Sequence, residues 1–189
     1  AGAVVIDNTS AFRLDPDVPL VVPEVNPEAI RRHRGIIANP NCSTIIMLVA
    51  LTPIYRAAGI ERIVVSTYQA VSGAGARAME ELLRQVRDFA AEKPPTAEVL
   101  PGAAGPRRYP ILFNVIPQVD VFAEGGYTKE EWKMVRETHK AWDDESVGIT
   151  ATTVRVPVLR SHSESINVQT RRRLSADEAR EILAEAPGV

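Results

Sequence analysis

Residues 38–69 read ANPNCSTIIMLVALTPIYRAAGIERIVVSTYQ. A turn, Asn39-Pro40-Asn41, opens onto an apolar segment, Thr44 to Ala58, that is compatible with a helix. A β-branched and aromatic run, Ile60 to Tyr68, follows as a strand ending at Gln69. Helix and strand in direct succession make the chain α/β. They also place Cys42, the chain's single cysteine, at or beside a helix N-terminus. Free amide N–H groups and the positive end of the helix dipole favour a thiolate there. A thiolate is the form that attacks carbonyl carbon. The competing reading of a lone cysteine is a small buried apolar side chain. The amide of Asn41 beside the Cys42 N–H is a candidate oxyanion hole.

Outward from this stretch the α/β pattern continues. Val4 to Asp7 reads as a short buried strand, and Asn8-Thr9-Ser10 as a polar turn. Leu14 to Asn26 is Pro-rich and extended, Pro27 to Arg34 a short helix with Pro in its first turn, and Gly35 to Ala38 a short strand. Met79, Leu82, Leu83, Val86 and Phe89 recur at helical spacing within Gly73 to Glu92. Pro94 to Pro110 reads as a loop, and Ile111 to Ile116 as a strand. The pattern Thr128-x-x-Glu131 opens a helix that runs to about Trp142, and Ser175-x-x-Glu178 opens one that stops near Pro187. Ile149 to Leu159 and Ile166 to Thr170 are strand-like. The whole is a mixed β-sheet covered by helices.

Composition narrows the function classes. The chain has 189 residues, 45% hydrophobic and 24% charged, with a formal net charge of -2. That charge offers no electrostatic case for nucleic acid. Arg171-Arg172-Arg173, the one basic cluster, reads as a solvated loop. No apolar run approaches the roughly 18 residues needed to span a membrane. A single cysteine cannot form an internal disulfide and suits a reducing compartment or a reactive thiol. The N-terminus lacks the basic start and long apolar core of a signal peptide, and without an initiator methionine the chain reads as a piece of a longer protein.

Three further groups stand out. His162 follows the apolar run Val156-Pro157-Val158 and is the candidate base, with Arg155 nearby as a candidate anion grip, whereas His33 and His139 lie on polar stretches and read as surface. Gly73-Ala-Gly75-Ala-Arg-Ala78 matches the dinucleotide fingerprint on its face. The acid that should end a second strand is instead Glu92, at the end of the same helix, so a pyrophosphate site is not assigned there. Glu130 and Lys133 share a helix face and read from sequence as a surface ion pair.

Five strings, in order along the chain, resemble one family. They are VIDNTSAFR (5–13), VVPEVN (21–26), ANPNCST (38–44), STYQAVSGAG (66–75) and RVPV…HS (155–163). Together they resemble aspartate-semialdehyde dehydrogenase. The resemblance implies a glyceraldehyde-3-phosphate dehydrogenase-like catalytic domain with a remnant of a Rossmann domain. Residues 1–40 then correspond to the tail of the cofactor domain and 41–189 to an incomplete catalytic and dimerisation domain. Missing from the sequence are the family's opening strand with its Gly-rich phosphate loop and its final segment, so this piece is expected to bind cofactor weakly or not at all.

The resemblance also implies the chemistry. The family reduces L-4-aspartyl phosphate to L-aspartate 4-semialdehyde with NADPH, through a cysteine thioester, on the route to lysine (by way of diaminopimelate), threonine and methionine. It does so in the cytoplasm, as a homodimer or homotetramer, without a metal. Carried over by motif, Cys42 matches the nucleophile, His162 the acid/base, Gln69 the residue that orients the acyl group, and Asn41 a group near oxyanion and phosphate. Arg155 matches the grip on the substrate carboxylate, and Glu130 the contact to its amino group. Arg13 and Lys133 match the phosphate cations, and Asn8, Ser10, Ser72 and Gly73 the nicotinamide contacts. The alternatives are a related acyl-phosphate reductase, such as N-acetyl-glutamyl phosphate reductase, and a non-catalytic dimerisation module.

Overall fold

A computed structural model describes residues 2–102 and 107–189. In chain order it contains β1 (Val5–Asp7), β2 (Ile36–Ala38), α1 (Cys42–Ala58), β3 (Ile60–Gln69), α2 (Ala76–Ala90), α3 (Lys129–Trp142), β4 (Gly148–Arg155), β5 (Ser163–Thr170) and α4 (Ala176–Ala184). The α/β class expected from sequence is observed. β1 and β2 pair in parallel, and a three-stranded sheet has the order β4-β3-β5. No helix among the described residues is long and apolar enough to cross a membrane.

The chain divides into two compact units. One comprises residues 1–64, 133–150 and 166–189, the other residues 65–132 and 151–165. In the first, Val18, Leu20 and Ala38 form a small core, and Val22, Val25, Leu48 and Ala141 a second. Buried Asn26 ties the extended segment down: its Oδ1 accepts from the Val22 N–H, and its Nδ2 donates to the carbonyls of Leu20 and Ala141. Tyr55 stacks on Trp142 with ring centroids 4.3 Å apart, and α4 packs against α1. Val5 and Ile6 are exposed, contrary to the buried strand expected for 4–7. β1 has one strand neighbour, β2, among the described residues, so its faces stay open.

In the second unit, Val71, Ala78, Leu82, Leu100, Ile111 and Ile116 form the core. The strand expected over 111–116 does not form. The N–H groups of Ile111 and Leu112 both donate to Oε1 of buried Gln85, and Phe113 takes a positive φ of 57°. A strand at this place would need those two donors for a ladder. Only Ile116 pairs, in an isolated antiparallel bridge with Arg155. The capping box read at Thr128 is realised: its N–H donates to Oε2 of Glu131 at 2.6 Å, and the Glu131 N–H donates to Thr128 Oγ1. The Ser175 box at the start of α4, in the first unit, is likewise complete.

Candidate active site

The sequence-derived candidates divide between the units. Asn8, Ser10, Arg13, Asn41, Cys42 and Lys133 lie in the first; Gln69, Ser72, Gly73, Glu130, Arg155 and His162 lie in the second.

In the first unit, Cys42 is the opening residue of α1 and is exposed. That removes the reading of a small buried apolar side chain. Asn41 is the N-cap, and its Oδ1 accepts from the N–H groups of Ser43 at 3.0 Å and Thr44 at 3.3 Å. With its oxygen turned to the helix, Asn41 can donate toward an oxyanion only through Nδ2. Arg13 is buried and engaged on three sides. Its Nε donates to the Asn39 carbonyl, Nη2 to the Asn8 carbonyl, and Nη1 to Glu137 Oε1 at 3.2 Å. Glu137 Oε2 in turn accepts the Asn41 N–H at 2.6 Å. Burial pushes the Glu137 carboxyl above its ordinary value, and the Asn41 N–H, Arg13 and Lys133 pull it back. The Asn8 side chain accepts from Asn39 Nδ2, while Ser10 is exposed and Lys133 half-buried.

The second unit centres on one peptide. The Ala70 N–H donates to His162 Nδ1 at 3.0 Å, and the Ala70 carbonyl accepts from Arg155 Nη1 at 2.7 Å. An imidazole whose Nδ1 accepts a hydrogen bond carries its proton on Nε2. Burial and the neighbouring Arg155 lower the pKa of His162, and Glu130 opposes them. His162 is therefore held as a neutral Nε2–H imidazole. The residue before it, Ser161, sits at φ 72°, a strained conformation for a non-glycine residue that turns the chain into β5. Buried Gln69 donates from Nε2 to Oε1 of buried Glu130 at 3.2 Å. The surface ion pair read for Glu130 is thus corrected: its carboxylate lies inside, on Gln69. The backbone N–H groups of Val71 and Ser72 donate to Val158 and Leu159, pinning this loop. At Gly73 a Cβ would meet Arg155 Nη1 at 2.9 Å and His162 Nε2 at 3.2 Å, so the missing side chain is what keeps both groups clear.

Other sequence readings also change. His33 and His139 are half-buried rather than on the surface: Nδ1 of His33 accepts from the Gly35 N–H, and Nε2 of His139 lies 2.8 Å from the Val147 carbonyl. Gly75, at φ 90°, is the N-cap of α2, and Glu92 follows that helix rather than ending a second strand, as its position in the sequence indicated. Glu137 escaped the sequence reading, although it lies seven residues after Glu130 and four after Lys133, on the same helical face. The Ala70 peptide left no signal, since any residue supplies those atoms.

Two family descriptions match the chain: "Semialdehyde dehydrogenase, dimerisation domain" over residues 51–189, and "Semialdehyde dehydrogenase, NAD binding domain" over residues 1–33. The chain is 57% identical to the aspartate-semialdehyde dehydrogenase of Aquifex aeolicus, over 100% of this chain and 54% of that protein. It is 52% identical to the Synechocystis enzyme of the same name, again over 100% and 54%. Among solved structures it resembles aspartate semialdehyde dehydrogenase II of Vibrio cholerae complexed with ASA. The TM-score is 0.91 at 51% identity, over 99% of this chain and 54% of that one. The chain spans about half the length of the curated relatives it matches.

Proposed function

The chain belongs to the semialdehyde dehydrogenase family, and from that premise we propose that it carries catalytic residues of an NADP-dependent aspartate-semialdehyde dehydrogenase. The reaction is the reversible reductive dephosphorylation of L-4-aspartyl phosphate to L-aspartate 4-semialdehyde, in lysine, threonine and methionine biosynthesis. The observation that carries this reading is the exposed Cys42 in the first turn of α1, in a chain 57% identical to a relative of that name.

Cys42 Sγ, as thiolate, attacks the acyl carbon and inorganic phosphate leaves, forming a thioester on the sulfur. The hydride for the thioester carbon would come from NADPH when bound, and the departing aldehyde would leave Cys42 as thiolate. His162, carried over as the acid/base, acts from its neutral Nε2–H form by donating that N–H to the developing oxyanion, a contribution of roughly 100- to 1,000-fold. Arg155 grips the α-carboxylate with its planar fork, Glu130 meets the substrate amino group, and Gln69 orients the acyl group. Lys133 binds phosphate as a cation, joined by Arg13, whose charge Glu137 partly neutralises. Asn41 donates from Nδ2 toward the oxyanion.

The chain's residues fit a nicotinamide. Asn8, Ser10 and Ser72 supply amide and hydroxyl groups suited to a carboxamide, and Gly73 presents a bare Cα where a Cβ would crowd Arg155 and His162. We place residues 1–40 with the cofactor domain and 41–189 with the catalytic and dimerisation domain. The enzyme works in the reducing cytoplasm as a homodimer or homotetramer.

The test is phosphate-dependent reduction of NADP by aspartate semialdehyde, with the full-length protein and this chain assayed side by side. Turnover by the full-length protein is expected. Turnover only with N-acetylglutamate semialdehyde would move the assignment to that neighbouring acyl-phosphate reductase. No turnover with either, by folded protein, would leave a dimerisation module.

A further inference from the structure

Pro40 has no N–H, so the turn before α1 is held through the polar backbone atoms on either side of it. On one side, the Asn39 carbonyl accepts from Arg13 Nε at 2.9 Å. On the other, the Asn41 N–H donates to Glu137 Oε2 at 2.6 Å. Arg13 and Glu137 are joined to each other at 3.2 Å, with side chains 9% and 2% exposed. Two long side chains from distant parts of the sequence thus form a clasp across Asn39-Pro40-Asn41. Asn41 caps α1 with its side chain only while its backbone keeps the extended setting of φ -60° and ψ 145°. Cys42 follows directly.

We propose that Glu137 is a positioning residue: by holding the Asn41 N–H with one oxygen and Arg13 with the other, it fixes the first turn of α1 and so the placement of Cys42. This rests on the reading of Cys42 as nucleophile. Both acceptor positions of the carboxylate are in use. In Glu137→Gln the side chain has one oxygen, so either Asn41 or Arg13 faces an N–H₂ group and loses its acceptor. Both losses lie in buried surroundings, where an unpaired donor is costly. A loosened first turn no longer holds the sulfur at the positive end of the helix dipole, and the thiolate loses support. A carboxylate acting only through its charge does the opposite, since removing a negative group near the helix start favours the thiolate.

The experiment is the pH dependence of Cys42 alkylation by iodoacetamide in the full-length protein and its Glu137→Gln variant, with kcat and KM measured alongside. The expected result is an upward shift of the alkylation midpoint and about tenfold slower alkylation at neutral pH. kcat should fall about 100-fold, as for a reacting group displaced by about an ångström. KM for aspartate semialdehyde should stay within about twofold. A midpoint that stays or moves down overturns the proposal. Should Glu137→Gln fail to fold, the native protein still decides. The Asn41 amide should exchange slowly with solvent and its proton shift should follow the Glu137 carboxyl titration; a freely exchanging Asn41 amide overturns the proposal. Alkylation needs no turnover, so an error in the assigned reaction would show as absent wild-type activity, separately from these outcomes.

Discussion

The peptide of Ala70 faces two side chains at once, donating its N–H to Nδ1 of His162 at 3.0 Å and offering its carbonyl to Arg155. The N–H side sets the tautomer. Nitrogen NMR of the native protein should show an unprotonated Nδ1 and a protonated Nε2 in the neutral ring. Protonating Nδ1 would set two donors against each other, which adds to the lowering by burial and Arg155. The His162 titration should therefore fall below its ordinary value of 6.5. The sign for stability follows. Below 6.5 the unfolded chain binds this proton before the folded one does. Stability from His162 is thus present above that pH and declines as pH falls toward the depressed folded value. A titration at or above the ordinary value would mean the Ala70 bond does not govern the ring.

Gly73 separates activity from stability. It is exposed, and its φ is outside the left-handed region, so alanine is acceptable to the backbone. Its Cβ, however, would stand 2.9 Å from an Arg155 nitrogen that the Ala70 carbonyl holds in place. Gly73→Ala should lower kcat/KM by about 100-fold, the scale of a displaced catalytic group, with little change in melting temperature. Wild-type kinetics in this variant would show that the loop yields and that the clearance has no function.

Arg155→Lys tests the carboxylate grip. The guanidinium is a planar fork of several N–H donors, one nitrogen of which holds the Ala70 carbonyl, whereas an ammonium is a single point charge. KM for aspartate semialdehyde should rise by at least about tenfold, a loss of about 1.4 kcal/mol. A KM equal to wild type would make Arg155 a support for the loop alone.

Much of this is legible in the sequence alone. The helix that opens at Cys42, the strand that ends at Gln69 and the capping boxes of Thr128 and Ser175 follow from periodicity and local hydrogen bonding, which short windows of sequence contain. The run at 111–116 misled because apolar content reports burial rather than pairing. What decided it was Gln85, some 26 residues upstream, which takes the N–H groups of Ile111 and Leu112. Glu130 was legible as a charge at the right spacing but not as a buried acceptor for Gln69, since burial depends on chain brought in from elsewhere. Glu137 was hidden for the same reason: its partners, Arg13 and Asn41, are 124 and 96 residues away.

Cys42→Ala should abolish turnover and leave the fold intact. Exposure of the side chain means its truncation opens no cavity, and Asn41 still caps α1 through Ser43 and Thr44. Circular dichroism and melting should match wild type, and residual turnover above about one part in a thousand would point to another nucleophile.

Glu164 carries the last prediction. It lies on β5, two residues beyond His162, and both of its carboxyl oxygens are buried without a hydrogen-bond partner. Burial alone pushes its pKa from 4.5 to about 8. In the window between those values the folded state keeps a proton that the unfolded chain has released. Ionising the group costs the folded state, so stability falls as pH rises through the window, by up to about 1.4 kcal/mol for each pH unit. Glu164→Gln has nearly the same shape and cannot ionise. Its melting temperature should match wild type near pH 5, exceed it at pH 8 and above, and lose the downward slope between. Parallel pH profiles for the two proteins would mean that the carboxyl finds a partner or water in solution and titrates normally.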